Sequence, residues 1–105
     1  MGRFQSGVLP GHIVDTVTSA GTLAVLTIQL GYKPSHVELW TDTANVADVW
    51  KKWQNDTTNT QKIEGTSGIV SNVADASAIT LTDDGFTVAI AAQVANGVNH
   101  YIAHR

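Results

Sequence analysis

The sequence predicts an all-β protein: a compact antiparallel β-sandwich or barrel, jelly-roll-like, with an extended N-terminal arm. Three observations carry this. Val, Ile and Thr dominate, and β-branched side chains favour pleated, half-buried surfaces. Gly, Asn and Asp recur at short intervals as turn residues. The stretches between them alternate apolar with polar side chains, which is the period of a strand with one buried face. At 105 residues the chain supports one domain, read as an arm over 1–11 and a β domain over 12–105. A domain of this size buries roughly two-thirds of the surface its unfolded chain exposes.

The arm is punctuated by Pro10-Gly11. His12 to Thr18 is the first expected strand, with Ile13, Asp15 and Val17 on one face and Val14 and Thr16 on the other. Ser19-Ala20-Gly21 turns the chain into Thr22 to Leu30, the strongest strand signal. There Ala24, Leu26, Ile28 and Leu30 share a face opposite Val25, Thr27 and Gln29. Gly31-Tyr32-Lys33-Pro34 is a connection, since Pro34 lacks a donor and suits the start of a strand. Ser35 to Thr41 puts Val37 and Leu39 inward and His36, Glu38 and Trp40 opposite. Asp42-Thr43-Ala44-Asn45 turns. Val46 to Gln54 fits a helical spacing through Val46, Val49, Trp50 and Trp53, and it also fits a strand; in an otherwise β chain the strand is preferred.

Asn55 to Gln61 is a polar tip expected to be an exposed loop. Lys62 to Glu64 is a short strand, and Gly65-Thr66-Ser67-Gly68 a turn. Ile69 to Val73, Ala78 to Thr82, Gly85 to Ala91 and Val98 to His104 complete the set. Asp83-Asp84-Gly85 is a tight hairpin signal and Asn96-Gly97 another strong turn pair.

Composition excludes several classes. The chain has no cysteine, so neither a disulfide nor a thiolate site is expected, which fits assembly in a reducing cytosol. The net charge is -3 with six Lys and Arg, too few to neutralise a run of phosphates, so no nucleic-acid partner is expected. Charged residues are 14% of the chain, below the usual quarter, and a surface this neutral suits proteins that pack into assemblies. No stretch reaches the apolar length of a membrane span, and residues 1–7 lack the apolar core of a signal peptide. Met1-Gly2 with Ser6 formally matches a myristoylation start, but nothing else supports attachment to a membrane.

The chemistry-bearing residues form no catalytic kit, so an enzyme is not expected. His100 and His104 share a strand face but lie about 13 Å apart, too far to chelate one ion. Only a symmetric oligomer with histidines near its axis offers a route to a metal, and neither metal nor cofactor is expected in the chain. No Gly-x-Ser-x-Gly elbow appears. Asp42, Asp83 and Asp84 sit in turns, where Asp stabilises local backbone, and Asp15 has no acid–base partner. Gly65-Thr66-Ser67-Gly68 lacks the Lys and the helix of a phosphate loop. Trp40, Trp50 and Trp53 have three readings: core packing, a subunit interface where Trp anchors binding, or a sugar-stacking platform. Lys51 and Lys52 read as solvated charges beside them.

One resemblance goes further. Gly31-Tyr32-x-Pro34-x-x-Val37, Trp50 with Trp53, Ser67-Gly68-Ile69-Val70, Asp84-Gly85-Phe86-Thr87-Val88 and Tyr101-Ile102-Ala103-x-Arg105 follow one another in this order. Together they resemble a family of small tailed-bacteriophage virion proteins, similar to capsid decoration or cement proteins. The family's Asp-Gly-Met-type loop after the first Trp is replaced here by Lys51-Lys52-Trp53-Gln54. The resemblance implies a decoration protein that binds and stabilises the major capsid protein shell on the capsid exterior, assembled in the host cytoplasm. It also implies self-association, as a homotrimer. Phe4, Val8 and Leu9 of the arm are candidate anchors on a neighbour, with Trp40, Trp50 and Trp53 as further partner-binding candidates. Alternatives are a tail-side virion component (tube, fibre or adaptor module) and a carbohydrate-binding module that stacks sugars on the Trp residues.

Overall fold

The computed structural model describes residues 11–42 and 48–105. Among them the chain forms nine strands: β1 His12–Thr18, β2 Leu26–Gln29, β3 His36–Asp42, β4 Val49–Trp53, β5 Asn59–Ile63, β6 Val70–Ala74, β7 Ile79–Thr82, β8 Gly85–Val88 and β9 Val98–His104. Two single turns of 3-10 helix, Asp75–Ser77 and Ile90–Ala92, flank the β7–β8 hairpin. Six strands make one sheet in the order β1-β9-β3-β4-β5-β6, and three make a second in the order β2-β8-β7. Every pairing is antiparallel. The protein is thus an all-β sandwich whose strands divide six and three, rather than four and four as in a jelly roll.

Residues 1–10 of the arm, with its candidate anchors Phe4, Val8 and Leu9, lie outside the described residues, as do Val46 and Ala47. Val49–Trp53 is a strand, so the helical spacing of its apolar residues is incidental.

Two expected strands, β2 and β8, are shorter than the alternation suggests, and β5 is longer. β2 ends at Gln29 because the Asp84 carbonyl accepts both the Leu30 and Gly31 N–H groups, at 2.7 and 3.0 Å, and draws the chain off the ladder. Gly31 follows at φ 86°, in the left-handed region that favours glycine. β8 ends at Val88, after which Ala89 donates to the Ala78 carbonyl and the chain coils into Ile90–Ala92. The polar tip is shorter than predicted because β5 already begins at Asn59. Asp56 closes it: one carboxylate oxygen accepts the Thr58 and Asn59 N–H groups at 3.1 and 2.9 Å. Those bonds hold the Asp56 carboxyl below its ordinary range.

The core lies between the sheets. Val37, Leu39, Trp50, Tyr101 and Ala103 face it from the large sheet; Ile28, Ile79, Phe86 and Val88 face it from the small one. Phe86 and Tyr101 meet edge to face, with ring centroids 5.3 Å apart at 77°. A polar chain ties the end of this core. Thr41 donates to Asn99 Oδ1 at 2.8 Å, Asn99 Nδ2 to Ser19 Oγ at 2.9 Å, and Ser19 to Gln93 Oε1 at 2.9 Å. Gln93 Nε2 then donates to the Ala24 carbonyl at 2.8 Å. Every member of that chain is buried and bonded, which is what a buried polar network requires.

Lys52 corrects the expectation of a solvated charge. It is 2% exposed, and its Nζ reaches Asp75 Oδ2 at 2.8 Å, the Asn59 carbonyl at 3.0 Å and the Asp56 carbonyl. The reason is periodicity. Trp50 and Lys52 occupy the inward face of β4, leaving Lys51 and Trp53 outward. A buried ammonium is tolerated because all three of its donors find oxygen.

Gly85 was legible as a turn residue, but its position has a different cause. The β7–β8 turn is Asp83-Asp84, and Gly85 already pairs with Thr82 and with Gln29. A Cβ there would lie 1.9 Å from the Ile28 carbonyl oxygen, so β2 can approach only a glycine. We expect Gly85→Ala to cost at least ~3 kcal/mol, read from urea unfolding midpoints. Tyr32 gives the opposite expectation. Its hydroxyl is buried without a hydrogen-bond partner, and burial raises its pKa. Tyr32→Phe removes that unpaired group and keeps the ring beneath the Arg105 guanidinium, 5.4 Å away. Its stability should fall within about 0.5 kcal/mol of the parent or exceed it, because no bond is lost.

Candidate functional site

The inward face of the large sheet is spent on the core. Its outward face carries further aromatic and aliphatic side chains, and strand register arranges them in rows. One row is His12, His104, His36 and Trp53, from β1, β9, β3 and β4. The next is Val14, Ile102, Glu38, Lys51, Gln61 and Asn72. The third crosses all six strands as Thr16, His100, Trp40, Val49, Ile63 and Val70. All four histidines of the chain and two of its three tryptophans therefore stand on one face.

Cross-strand neighbours on one face lie close enough for ring contact. His36 stacks on Trp53 with centroids 4.8 Å apart at 29°, and on His104 at 5.7 Å and 21°. His104 meets His12 at 6.0 Å. In the third row Trp40 stacks on His100 at 5.7 Å and 12°. The only ion pairs on this face, among the described residues, are central. Glu38 Oε2 lies 3.3 Å from His36 Nε2, and Glu38 Oε1 lies 3.9 Å from Lys51 Nζ. The aliphatic members are open on the edge strands, where Val14 is 65% exposed and Val70 55%, while Val49, Ile63 and Ile102 between them are half-buried. Trp53 continues into a shallow hollow lined by Asn55, Asp56, Thr57 and Thr58.

The predicted site residues separate accordingly. Trp40 and Trp53 share this face. Trp50 is a core residue, 5% exposed, with the Lys62 ammonium 5.4 Å from its ring. The alternation of β3 placed His36, Glu38 and Trp40 together from sequence alone. The rows were not legible, because they depend on β9 inserting between β1 and β3, and no local signal reports a pairing between residue 12 and residue 104.

Each of the two tryptophans on this face gives one ring face to a histidine, Trp53 to His36 and Trp40 to His100. Among the described residues no group of three or more His, Cys, Asp or Glu is placed to hold a metal ion, and no helix is long and apolar enough to cross a membrane. Compared with known proteins, the chain matches no family model, no curated protein and no solved structure.

The division between core and face tryptophans is measurable. Trp50→Ala should cost about 3–5 kcal/mol in urea unfolding. Trp53→Ala, which empties no cavity in the core, should cost less than half as much. Equal costs would mean that Trp53 carries core energy.

Proposed function

We propose that this chain is a structural virion protein of the capsid decoration type, which docks on the major capsid protein through the outward face of its large sheet. The observation that carries docking is the open row of His100, Trp40, Val49, Ile63 and Val70 with Trp53 beside it. Contiguous apolar and aromatic surface with Trp as candidate anchors suits a protein interface, although docking here must also desolvate the paired charges of Glu38, His36 and Lys51. The virion assignment rests on the ordered resemblance from Gly31 to Arg105. Self-association as a homotrimer belongs to the same reading, since a small cysteine-free domain gains stability by burying apolar area against copies of itself.

The test is co-sedimentation with capsids prepared without this chain, after its solution mass has been fixed by sedimentation velocity. We expect an oligomer that pellets with the capsids. Replacing Trp40 and Trp53 together by Ala should weaken that binding by at least about tenfold, the loss expected of one anchor worth ~1.4 kcal/mol or more. Deleting residues 1–11 should weaken binding or trimerisation if the arm reaches a neighbour. A folded chain that ignores capsids would sink the decoration reading. Such a chain would then be tried against tail components and against glycans by Trp quenching.

A further inference from the structure

His36 sits where two acceptors meet one ring. Its Nδ1 lies 3.1 Å from the Lys52 carbonyl oxygen, and its Nε2 lies 3.3 Å from Glu38 Oε2. A neutral imidazole has a single N–H, so only the doubly protonated ring donates to both. A charge on His36 is matched by Glu38 and lies against the Trp53 ring, where a cation is favoured.

The next two rings are placed differently. His104 lies between His36 and His12, with centroids 5.7 and 6.0 Å away. The charged and titratable groups around it are His12 from β1, His36 and Glu38 from β3, Lys51 from β4 through its pair with Glu38, and the guanidinium and carboxylate of Arg105, whose carboxylate accepts from Ser35 Oγ at 3.1 Å. Arg105 turns its guanidinium over the Tyr32 ring. Among the described residues no ion pair joins His104 or His12 to a carboxylate, and Glu38 is already shared between His36 and Lys51. Protons added to His104 and His12 therefore place unmatched like charges one strand apart along one row. Histidine is the side chain whose charge ordinarily changes between about pH 5 and 8.

We propose that the row His12–His104–His36–Trp53 is a proton-operated switch on the outward face. At higher pH the rings stack beside one cluster in which Glu38 is shared by His36 and Lys51. On acidification His104 and His12 acquire charge, repulsion loosens the stack beside Trp53, and the face resists desolvation against a partner. The switch in the free chain needs no partner. Its use as a release device rests on the docking reading above.

The experiment is a fluorescence titration of the free protein from about pH 8 to pH 5 in a Trp40→Phe background, which removes the ring stacked on His100. We expect emission to change with pH, because a loosened stack moves the His36 ring relative to the Trp53 indole. His36→Gln should lose that pH-dependent change, and His104→Gln should reduce it. A flat profile, or profiles of both variants that superimpose on the parent, overturns the switch. Capsid co-sedimentation at about pH 8 and pH 5.5 then tests release. We expect binding at least about tenfold weaker at the lower pH, with the ratio between the two conditions collapsing toward one in the His12→Gln, His104→Gln double variant. Equal binding of the parent at both values overturns release. Absence of binding at either value sinks docking instead, and the fluorescence profile still decides the switch.

Discussion

The insertion of β9 between β1 and β3 is the constraint on which the rest of this molecule depends. The strand pairs over seven positions with β1 on one side and seven with β3 on the other. Its inward residues Asn99, Tyr101 and Ala103 supply the polar tie, the aromatic contact to Phe86 and the close-packed floor of the core. Its outward residues His100, Ile102 and His104 supply the middle member of each row on the open face. Because side chains alternate strictly along a strand, a one-residue slip of β9 would exchange these two sets and ruin both surfaces at once. Core packing thus fixes the register that builds the face. Closing strands this distant in sequence is entropically costly and slow, so β9 must be held by many contacts rather than by a local turn.

Much of the fold was legible because its information is local. β1 and β9 were readable to the residue at both ends, and the inward set Val37 and Leu39 followed from simple alternation. What failed was also local in appearance but distant in cause. β2 looked like nine residues of strand, yet only Leu26–Gln29 pairs, and the Leu30 amide goes to the Asp84 carbonyl instead of the ladder. Gly85 looked like a hairpin glycine, yet it is demanded by the Ile28 carbonyl on a strand more than fifty residues upstream. The candidate face follows the same division. Its membership could be read from period-two alternation within each strand. Its order across the sheet could not, since His12, His104, His36 and Trp53 become neighbours only once the strands are paired.

Lys52 shows how the two faces of the sheet are coupled. A sequence reader sees a lysine pair, Lys51-Lys52, between two tryptophans and assigns both to solvent. The strand period sends them to opposite sides, and the two ammonium groups meet different fates. Lys51 joins Glu38 on the open face, where screening leaves such a pair worth little. Lys52 enters the interior, where its desolvation is offset by Asp75 and two backbone carbonyls from the 56–59 turn. Asp75 is held in turn by the Thr60 hydroxyl at 3.0 Å, and the Ile79 N–H reaches that same hydroxyl at 3.3 Å. The ion pair therefore binds β4, the turn after it and the start of β7 into one unit.

That unit reaches the outward face through a single atom. The Lys52 carbonyl oxygen is the acceptor that orients His36 Nδ1, while the Lys52 side chain is pinned on the opposite side of the sheet. The β3–β4 ladder fixes that peptide plane, and its carbonyl orients the ring that stacks between Trp53 and His104. An exposed aromatic row would otherwise sample many rotamers and lose entropy on docking. The Lys52 carbonyl, the Glu38 pair and the two ring stacks together confine that sampling before any partner arrives, so His36 ties the row to the backbone of β4 as well as to its neighbours on the face.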